Sequence, residues 1–250
     1  MSSEKTNIRI DNILTARGLA RSRSRARDMI ARGCVIANGV RVAKSGALYA
    51  QDCVIEIDDP AASYVSRAAL KLIAGLDAAG IDANGAIALD LGASTGGFTQ
   101  VLLERGARSV LSVDVGHGQL AADIAADPRV NNMEKLNARD LTQDMLQPAP
   151  DLIVSDLSFV SLRIAAEPAL RLAAPMARCV LLAKPQFEVG RAGVGKGGLV
   201  TDEALIAKTM DEIKDWFSAL PGWRVTNFLA SPIKGSDGNG EYLLCGARNG

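Results

Sequence analysis

The sequence predicts a doubly wound α/β domain, with a mostly parallel sheet and an antiparallel last strand, preceded by a small N-terminal α+β domain. Three observations support this fold class. From residue 86 onward, short apolar runs alternate with segments of helical periodicity, the pattern of a parallel sheet covered by helices. A glycine-rich turn follows the first of these runs, and an acid ends the second. The basic residues are concentrated before residue 45, which sets the N-terminal part apart from the rest.

Length and composition limit the class of protein. A chain of 250 residues, 48% of them hydrophobic, can hold one ordinary domain and a small one. Its four cysteines are scattered, as in reduced proteins, and its single histidine argues against a histidine metal cluster. The longest uncharged run, 91–103, is too short to span a membrane. We therefore expect a cytoplasmic monomer with neither a membrane nor a metal as partner.

The N-terminal segment reads as a compact unit over residues 8–58. Apolar residues at helical spacing predict a helix over 9–17, and Ser22 can cap a second helix that ends at Gly33. Residues 34–42 form a predicted hairpin with Asn-Gly at its turn, and residues 53–57 a further strand. We place this domain at 1–59, a linker at 60–66 and the larger domain at 67–250.

Positive charge is concentrated in that first unit. Between Ile8 and Lys44, nine basic residues stand against two acids, a net charge of +7, while the remainder of the chain carries −7. The arginines could form a solvated helix face, but charged helices usually mix signs, so contact with the phosphates of a polyanion is favoured. The residues expected to make these contacts are Arg9, Arg17, Arg21, Arg23, Arg25, Arg27, Arg32, Arg41 and Lys44.

The larger domain begins with a predicted helix over 67–79, capped by Ser66. Predicted strands lie at 86–91, 109–114, about 130–135, 151–155 and 179–183, with helices near 98–105, 118–126 and 164–173. A helix over 202–219 and two strand-like runs, 224–229 and 242–245, complete the chain, and the two runs are close enough in sequence to be antiparallel.

The glycine-rich turn predicts a cofactor site. Its Gly-x-x-x-Gly-Gly spacing differs from the dinucleotide fingerprint, and Asp90 would repel a pyrophosphate. Asp114 lies about 20 residues beyond the first glycine, where a carboxylate can hold ribose hydroxyls. An adenosine cofactor with a cationic tail fits best, and S-adenosylmethionine is the candidate; alternatively, the turn only packs a helix closely. The candidate residues are Gly92, Ala93, Ser94, Thr95, Gly96, Gly97, Phe98 and Asp114.

Charged residues are placed to meet at the carboxyl ends of the predicted strands. Asp156 and Lys184 each follow a buried run, Glu241 opens the last strand, and Lys71 lies on the helix before the sheet. A cation beside a lysine disfavours its charged form, and a neutral lysine can act as a general base on a hydroxyl. Ordinary ion pairs at the rim of the sheet explain the same four residues equally well, so the spacing leaves both interpretations open.

A family resemblance rests on five motifs. They are the Ser66–Leu72 segment, the Gly92–Phe98 loop, Ser155-Asp-Leu-Ser-Phe159, Lys184-Pro-Gln-Phe-Glu188 and Gly240-Glu-Tyr242. Together these resemble the TlyA family of ribosomal RNA cytidine 2′-O-methyltransferases, whose catalytic domain is of the FtsJ type and whose N-terminal domain resembles that of a small-subunit ribosomal protein.

The resemblance implies specific roles for these residues. It implies that Lys71, Asp156, Lys184 and Glu241 form the catalytic tetrad, with Lys184 as the base that deprotonates a ribose 2′-hydroxyl. It adds Asp156 and Phe159 to the contacts of S-adenosylmethionine, and it implies ribosomal RNA or ribosomal subunits as partners.

Two other hypotheses compete with an RNA methyltransferase. One is a non-catalytic RNA-binding or ribosome-assembly factor that keeps the fold. The other is a membrane-lytic toxin, which the family's older name of haemolysin suggests and which the lack of a membrane-seeking segment opposes.

Overall fold

The computed structural model describes residues 7–249, which form two compact units. The first unit ends at Ser63 and the second begins at Tyr64. This boundary falls inside the segment 60–66 that the sequence marks as a linker.

The first unit contains two helices and two small antiparallel sheets. The elements are β1 (Asn7–Arg9), α1 (Ile10–Ala16), α2 (Arg23–Ala31), β2 (Val35–Ala37), β3 (Val40–Arg41), β4 (Leu48–Ala50) and β5 (Ile55–Ile57). β1 pairs with β4, and β2 lies between β3 and β5. The hydroxyl of Ser22 accepts a hydrogen bond from the Arg25 amide at 3.2 Å, which confirms the predicted cap. Asn38 and Gly39 have φ values of 50° and 78°, as a tight two-residue hairpin turn requires.

Apolar faces of both helices close the core of this unit. Ile10 and Leu14 of α1 pack with Ala26 and Ile30 of α2 and with Val35, and all five are at most 3% exposed. The β1–β4 pair was not predicted, because strands of three residues are too short to show a period.

The second unit is a seven-stranded sheet with helices on both faces. Its elements are α3 (Ala69–Ala79), β6 (Ile87–Leu91), α4 (Gly97–Glu104), β7 (Ser109–Asp114), α5 (Ala122–Ala125), β8 (Val130–Glu134), β9 (Leu152–Ser155), α6 (Leu162–Leu172), β10 (Arg178–Ala183), α7 (Pro185–Glu188), α8 (Glu203–Ser218), β11 (Trp223–Ala230) and β12 (Tyr242–Arg248). The strand order is β11-β12-β10-β9-β6-β7-β8. β10, β9, β6, β7 and β8 are parallel, whereas β12 is antiparallel to both of its neighbours.

This arrangement confirms the predicted doubly wound fold and its antiparallel last strand. One face of the sheet packs against α6 and α8 through Leu170 and Phe217, and the other against α3 and α4 through Leu76 and Leu102. All four of these side chains are fully buried.

Two helices are shorter than their sequence patterns predict. The helix predicted near 118–126 covers only Ala122–Ala125, because Gly118 has a φ of 64° that a right-handed helix cannot include. The helix predicted from residue 67 begins at Ala69. Ser66 instead closes a turn before it, and its hydroxyl accepts a hydrogen bond from the Ala68 amide at 3.2 Å.

Candidate active site

Four charged side chains meet at the edge where the parallel strands end. Asp156 directly follows β9 and Lys184 directly follows β10, so the pairing of these strands places them side by side. β12 runs antiparallel to β10, with Tyr242 opposite Ala183. Its start therefore lies at the same edge and brings Glu241 to the cluster. Lys71 comes from the first turn of α3.

Short contacts join these four residues, here called the charged tetrad. Lys184 Nζ lies 2.6 Å from Asp156 Oδ1 and 4.0 Å from Glu241 Oε1. Lys71 Nζ lies 2.6 Å from Glu241 Oε2 and 3.4 Å from Asp156 Oδ2. Each carboxylate is therefore shared by the two ammonium groups. Lys184 also donates a hydrogen bond to Ser158 Oγ at 2.8 Å. Sequence reasoning missed Ser158, although its place two residues after Asp156 was a usable signal.

Burial separates the charged tetrad from surface ion pairs. Its side chains are between 3% and 16% exposed. Two lysines face two carboxylates, so each carboxylate has a lysine within 2.6 Å. Burial alone would raise the pKa of Asp156, but the charges of Lys71 and Lys184 hold that pKa below its ordinary value. Asp156 is thus ionised at neutral pH and can orient the lysine amines.

Two cavities open beside the charged tetrad. The smaller, of about 260 Å³, is lined by all four tetrad residues and by the glycine-rich loop. The larger, of about 650 Å³, extends toward Asp114 and Phe159. Both are lined by Gly92, Ser94, Asp156 and Ser158. A ligand in the larger cavity would therefore be adjacent to the lysine amines.

The structure brings most of the expected cofactor residues to these cavities. Ala93, Thr95, Gly97 and Phe98 line the smaller one, and Asp114 and Phe159 the larger. Gly96 lines neither and instead precedes α4 with a φ of 96°.

Asp114 supports the loops around the larger cavity. Its Oδ2 accepts a hydrogen bond from the Ser94 amide at 2.8 Å, and its Oδ1 accepts one from the Gly116 amide at 2.7 Å. The strand-end carboxylate therefore joins the glycine-rich loop to the loop after β7. An acceptor in this position, with lone pairs remaining, can also bind sugar hydroxyls.

Glycine is required at two loop positions by the protein itself. Gly92 has a φ of 82°, and a Cβ there would lie 2.9 Å from the carbonyl oxygen of Asp156. A Cβ on Gly97 would lie 2.9 Å from the Cβ of Ser66. The glycines thus let the loop pack against neighbouring segments, which is the alternative that the sequence left open, and they also keep its backbone at the cavity wall.

A buried carboxylate lies beneath the glycine-rich loop. Asp90 is fully buried and accepts a hydrogen bond from Thr99 Oγ1 at 2.7 Å through Oδ2, while its Oδ1 has no hydrogen-bond partner among residues 7–249. Burial raises the pKa of Asp90 to about 7. Asp90 lines neither cavity, so its side chain belongs to the interior of the domain and not to the cavity wall.

Phe159 stands out as an exposed aromatic ring at the rim. Its side chain is 91% exposed, and its φ is 64°, in the left-handed region. The ring lies 5.4 Å from that of Phe187, centroid to centroid. This flat apolar surface is available to a planar ring at the mouth of the larger cavity.

The basic residues of the first unit fall into distinct environments. Arg25 and Arg32 are paired with Asp59 and are only 16% and 14% exposed. Arg17 and Arg41 donate to backbone carbonyls, those of Gln51 and Cys53 for Arg17 and that of Gly33 for Arg41. Three half-exposed arginines surround Asp11: Arg9, Arg23 and Arg27. Arg21 and Lys44 are exposed as well.

Within residues 7–249, no group of histidine, cysteine and acidic side chains could hold a metal ion. In the same range, no helix combines the length and the apolar character needed to cross a membrane. All four cysteines are buried and free.

Comparison with known proteins identifies the family. The FtsJ-like methyltransferase family matches residues 64–248, and the S4 domain family matches residues 8–48. A 16S/23S rRNA (cytidine-2′-O)-methyltransferase TlyA from Mycobacterium tuberculosis is 43% identical over 237 residues, which cover 94% of this chain and 88% of the relative. Hemolysin A from Brachyspira hyodysenteriae is 39% identical over 237 residues, 94% of this chain and 98% of the relative.

A solved structure shows the same likeness in three dimensions. It comes from Streptococcus thermophilus, bears the name hemolysin and is 32% identical, with a TM-score of 0.74 over 98% of this chain and 90% of the other. The resemblance expected from the motifs is thereby confirmed. The chain belongs to the TlyA family, FtsJ-like methyltransferases that carry an N-terminal S4 domain.

Proposed function

We propose that this protein transfers a methyl group from S-adenosylmethionine to the 2′-hydroxyl of a cytidine in ribosomal RNA, with Lys184 as the general base. The observation that carries the proposal is the buried charged tetrad beside two adjoining cavities. The 43% identical relative from Mycobacterium tuberculosis, named as a 16S/23S rRNA (cytidine-2′-O)-methyltransferase, supports the substrate.

The contacts of Lys184 suit a base. A neutral lysine amine has two N–H groups and one lone pair. Asp156 Oδ1 and Ser158 Oγ lie 2.6 and 2.8 Å from Nζ and can accept both N–H groups. The lone pair is then directed away from these acceptors, where a ribose hydroxyl entering the smaller cavity can meet it. The proton taken from the hydroxyl stays on Lys184 and is stabilised by Asp156.

Lys71 and Glu241 complete the electrostatics. Lys71, 2.6 Å from Glu241 and 3.4 Å from Asp156, supplies a second positive charge. Glu241 binds Lys71 directly and remains within 4.0 Å of Lys184, so it fixes the position of the first lysine and balances the cluster.

Residues around the larger cavity fit the methyl donor. When bound, S-adenosylmethionine supplies an electrophilic methyl group. Asp114 lines that cavity and can accept from ribose hydroxyls, and Gly92 and Ser94 of the glycine-rich loop line both cavities. Phe159 lies at the rim, where it can cover a planar ring.

The first unit is proposed to hold the RNA. Its S4 domain match and its net positive charge support contacts with phosphates. The cluster of Arg9, Arg23 and Arg27, together with Arg21 and Lys44, remains exposed enough to make them. Because all four tetrad residues come from one chain, we also propose that the protein works as a monomer, in the cytoplasm where ribosomal RNA is present.

The decisive experiment is methyl transfer. Purified protein, S-adenosylmethionine labelled in its methyl group, and ribosomal RNA or subunits from a strain that lacks the gene are incubated together, and the modified position is mapped by primer extension. We expect label on the ribose of a cytidine. Binding of the donor by calorimetry, without any transfer to either RNA or subunits, would refute catalysis and favour an RNA-binding assembly factor.

A further inference from the structure

A buried carboxylate organises three arginines in the first unit. Asp11, in the first turn of α1, is fully buried. Its Oδ2 accepts hydrogen bonds from Arg9 at 2.9 Å, Arg27 at 3.2 Å and Arg23 at 3.4 Å, and its Oδ1 accepts a second one from Arg9 at 3.1 Å. We call these three arginines and Asp11 the Asp11 cluster.

The guanidinium groups of the Asp11 cluster face outward. Arg9, Arg23 and Arg27 are 41%, 51% and 54% exposed, although the acid between them is covered. A guanidinium has five N–H donors. Within the described contacts to Asp11, Arg9 uses two of its donors and the other arginines use one each. The cluster therefore keeps a net charge of +2 and most of its donors for an anion from outside.

A second buried acid in the same unit, Asp59, binds arginines that are covered rather than exposed. Asp59 is bound by both ends of the Arg32 guanidinium at 2.7 and 2.8 Å, and by Arg25 at 3.3 Å. Arg25 also donates to the carbonyl of Ala61 at 2.6 Å. These two arginines are at most 16% exposed, so their donors are used inside the unit.

Helical geometry separates the two groups of arginines. Arg23 and Arg27 are four residues apart on α2 and share one face. Arg25 and Arg32, the residue that directly follows α2, are seven residues apart and share another face. The first face meets Asp11 of α1, and the second meets Asp59, which follows β5.

We propose that Asp11 is a positioning residue that holds Arg9, Arg23 and Arg27 as a prearranged clamp for the phosphodiester backbone of RNA. This inference rests on the proposed RNA-binding function of the first unit. Three guanidinium groups repel one another, and a shared carboxylate lets them stay close together. Fixing their side chains before RNA arrives reduces the entropy lost on binding, and the planar guanidinium matches the geometry of a phosphate.

For Asp11→Asn, the proposal predicts a change in RNA affinity opposite to the change that charge alone predicts. Asp11→Asn removes a negative charge from a surface that binds a polyanion, so charge counting predicts tighter binding. Loss of the prearranged clamp predicts weaker binding instead, by about tenfold, since three rotamer-rich side chains must then be ordered by the RNA. We expect the affinity of the full chain for deproteinised ribosomal RNA, measured by filter binding over a range of salt concentrations, to fall and its salt dependence to become shallower.

A matched variant controls for charge and for burial. Asp59→Asn also neutralises a buried acid that binds arginines, but those arginines are covered. We expect it to leave RNA affinity unchanged or to increase it slightly, with a lower unfolding temperature. An equal loss of affinity in both variants would mean that damage to the unit, rather than positioning, weakens binding.

A second variant avoids removing the buried acid. Arg23→Lys with Arg27→Lys keeps every charge and leaves Asp11 paired, but it removes the planar groups that the acid orients. We expect RNA affinity to fall in this variant as well, with near-normal stability. The lysine variant therefore tests whether oriented guanidinium groups are needed for RNA binding, even if Asp11→Asn does not fold. Unchanged affinity in the lysine variant, or binding by folded Asp11→Asn as tight as in the wild type, would overturn the proposal. If the wild type itself does not bind RNA, the proposed function fails instead.

Discussion

Lys184 is the residue on which the proposed chemistry depends. Lys184→Ala should reduce methyl transfer to background while leaving donor affinity within a few fold, because the larger cavity does not include this side chain. Lys184→Arg should be equally inactive, since a guanidinium stays protonated. Transfer is measured with the labelled donor and donor affinity by calorimetry.

A lysine on the surface provides the control. Lys208 is 75% exposed and pairs only weakly with Glu212 at 4.0 Å, so Lys208→Ala should keep full activity. Turnover of Lys184→Ala near the wild-type rate would exclude Lys184 as the base.

Asp90 makes a pH-dependent contribution to stability. Burial raises its pKa to about 7, above the ordinary value of 3.8. The folded state therefore retains a proton that the unfolded state loses, and stability falls as the pH rises between these values. In Asp90→Asn this loss is absent. Between pH 5 and pH 8, the free energy of unfolding of the wild type should fall relative to that of Asp90→Asn by roughly 3 kcal/mol.

Urea unfolding at the two pH values measures this difference. Asp144→Asn, at an exposed position, should follow the wild-type pH dependence. Parallel pH profiles for the wild type and Asp90→Asn would show that Asp90 is ionised in the folded protein at pH 5.

At the scale of elements, Glu188 ties the end of α7 to the beginning of α6. Its side chain is 1% exposed. It accepts hydrogen bonds from the Ser161 hydroxyl at 2.7 Å and from the Leu162 amide at 2.5 Å. The hydroxyl of Ser161 therefore does not cap α6 itself. The segments that carry Asp156 and Lys184 are thus joined a second time, beyond the charged tetrad.

Removing this tie should destabilise the protein. Glu188→Ala leaves a helix N-terminus without its acceptor, which costs about 1–2 kcal/mol, and urea unfolding measures the change. As a control, Glu167→Ala within α6 removes an exposed pair with Arg171. It should change stability by less than about 0.5 kcal/mol. Equal effects of the two variants would contradict the role assigned to Glu188.

Elements with a strong local signal were the predictable part of the fold. The Ser22 cap, the Asn38-Gly39 turn and the alternation of strands and helices each depend on neighbouring residues, and the structure confirms them. Short elements such as the β1–β4 pair depend on partners about 40 residues away. They are too short to show a periodic pattern in the sequence. The prediction for α5 was too long because Gly118, which has a positive φ, lies within the apolar pattern and excludes a helix there.

At the scale of the whole chain, the net charge of a sequence segment does not show which of its arginines are available to RNA. The segment 8–44 carries +7, but Asp59 lies outside it and binds Arg25 and Arg32. The strand ends, by contrast, could be foreseen to converge, because parallel strands share one edge. The roles of the site residues still came from the family motifs, since spacing did not distinguish a catalytic cluster from ion pairs at the rim.

The two arginine pairs in the segment 23–32, which comprises α2 and the residue after it, should therefore behave differently when replaced. Arg23→Gln with Arg27→Gln should weaken RNA binding and lower the slope of log affinity against log salt by up to about two, as expected for two lost phosphate contacts. Arg25→Gln with Arg32→Gln should leave that slope unchanged and instead destabilise the first unit, by on the order of 3 kcal/mol, because the buried Asp59 then lacks a positively charged partner.

Filter binding at several salt concentrations and thermal unfolding separate these outcomes. A reduced salt slope for the Arg25 and Arg32 variant, with normal stability, would contradict the distinction between the two faces of α2.

The position of β12 also affects when the protein becomes competent during synthesis. Translation makes this strand after every other strand of the sheet, yet it lies between β10 and β11 and is preceded directly by Glu241. Until it emerges, Lys71 and Lys184 have only Asp156 as a shared carboxylate, and β10 has β9 but lacks its second neighbour. While a ribosome is still synthesising this chain, the charged tetrad is incomplete. It is completed only when Glu241 and β12 have been made.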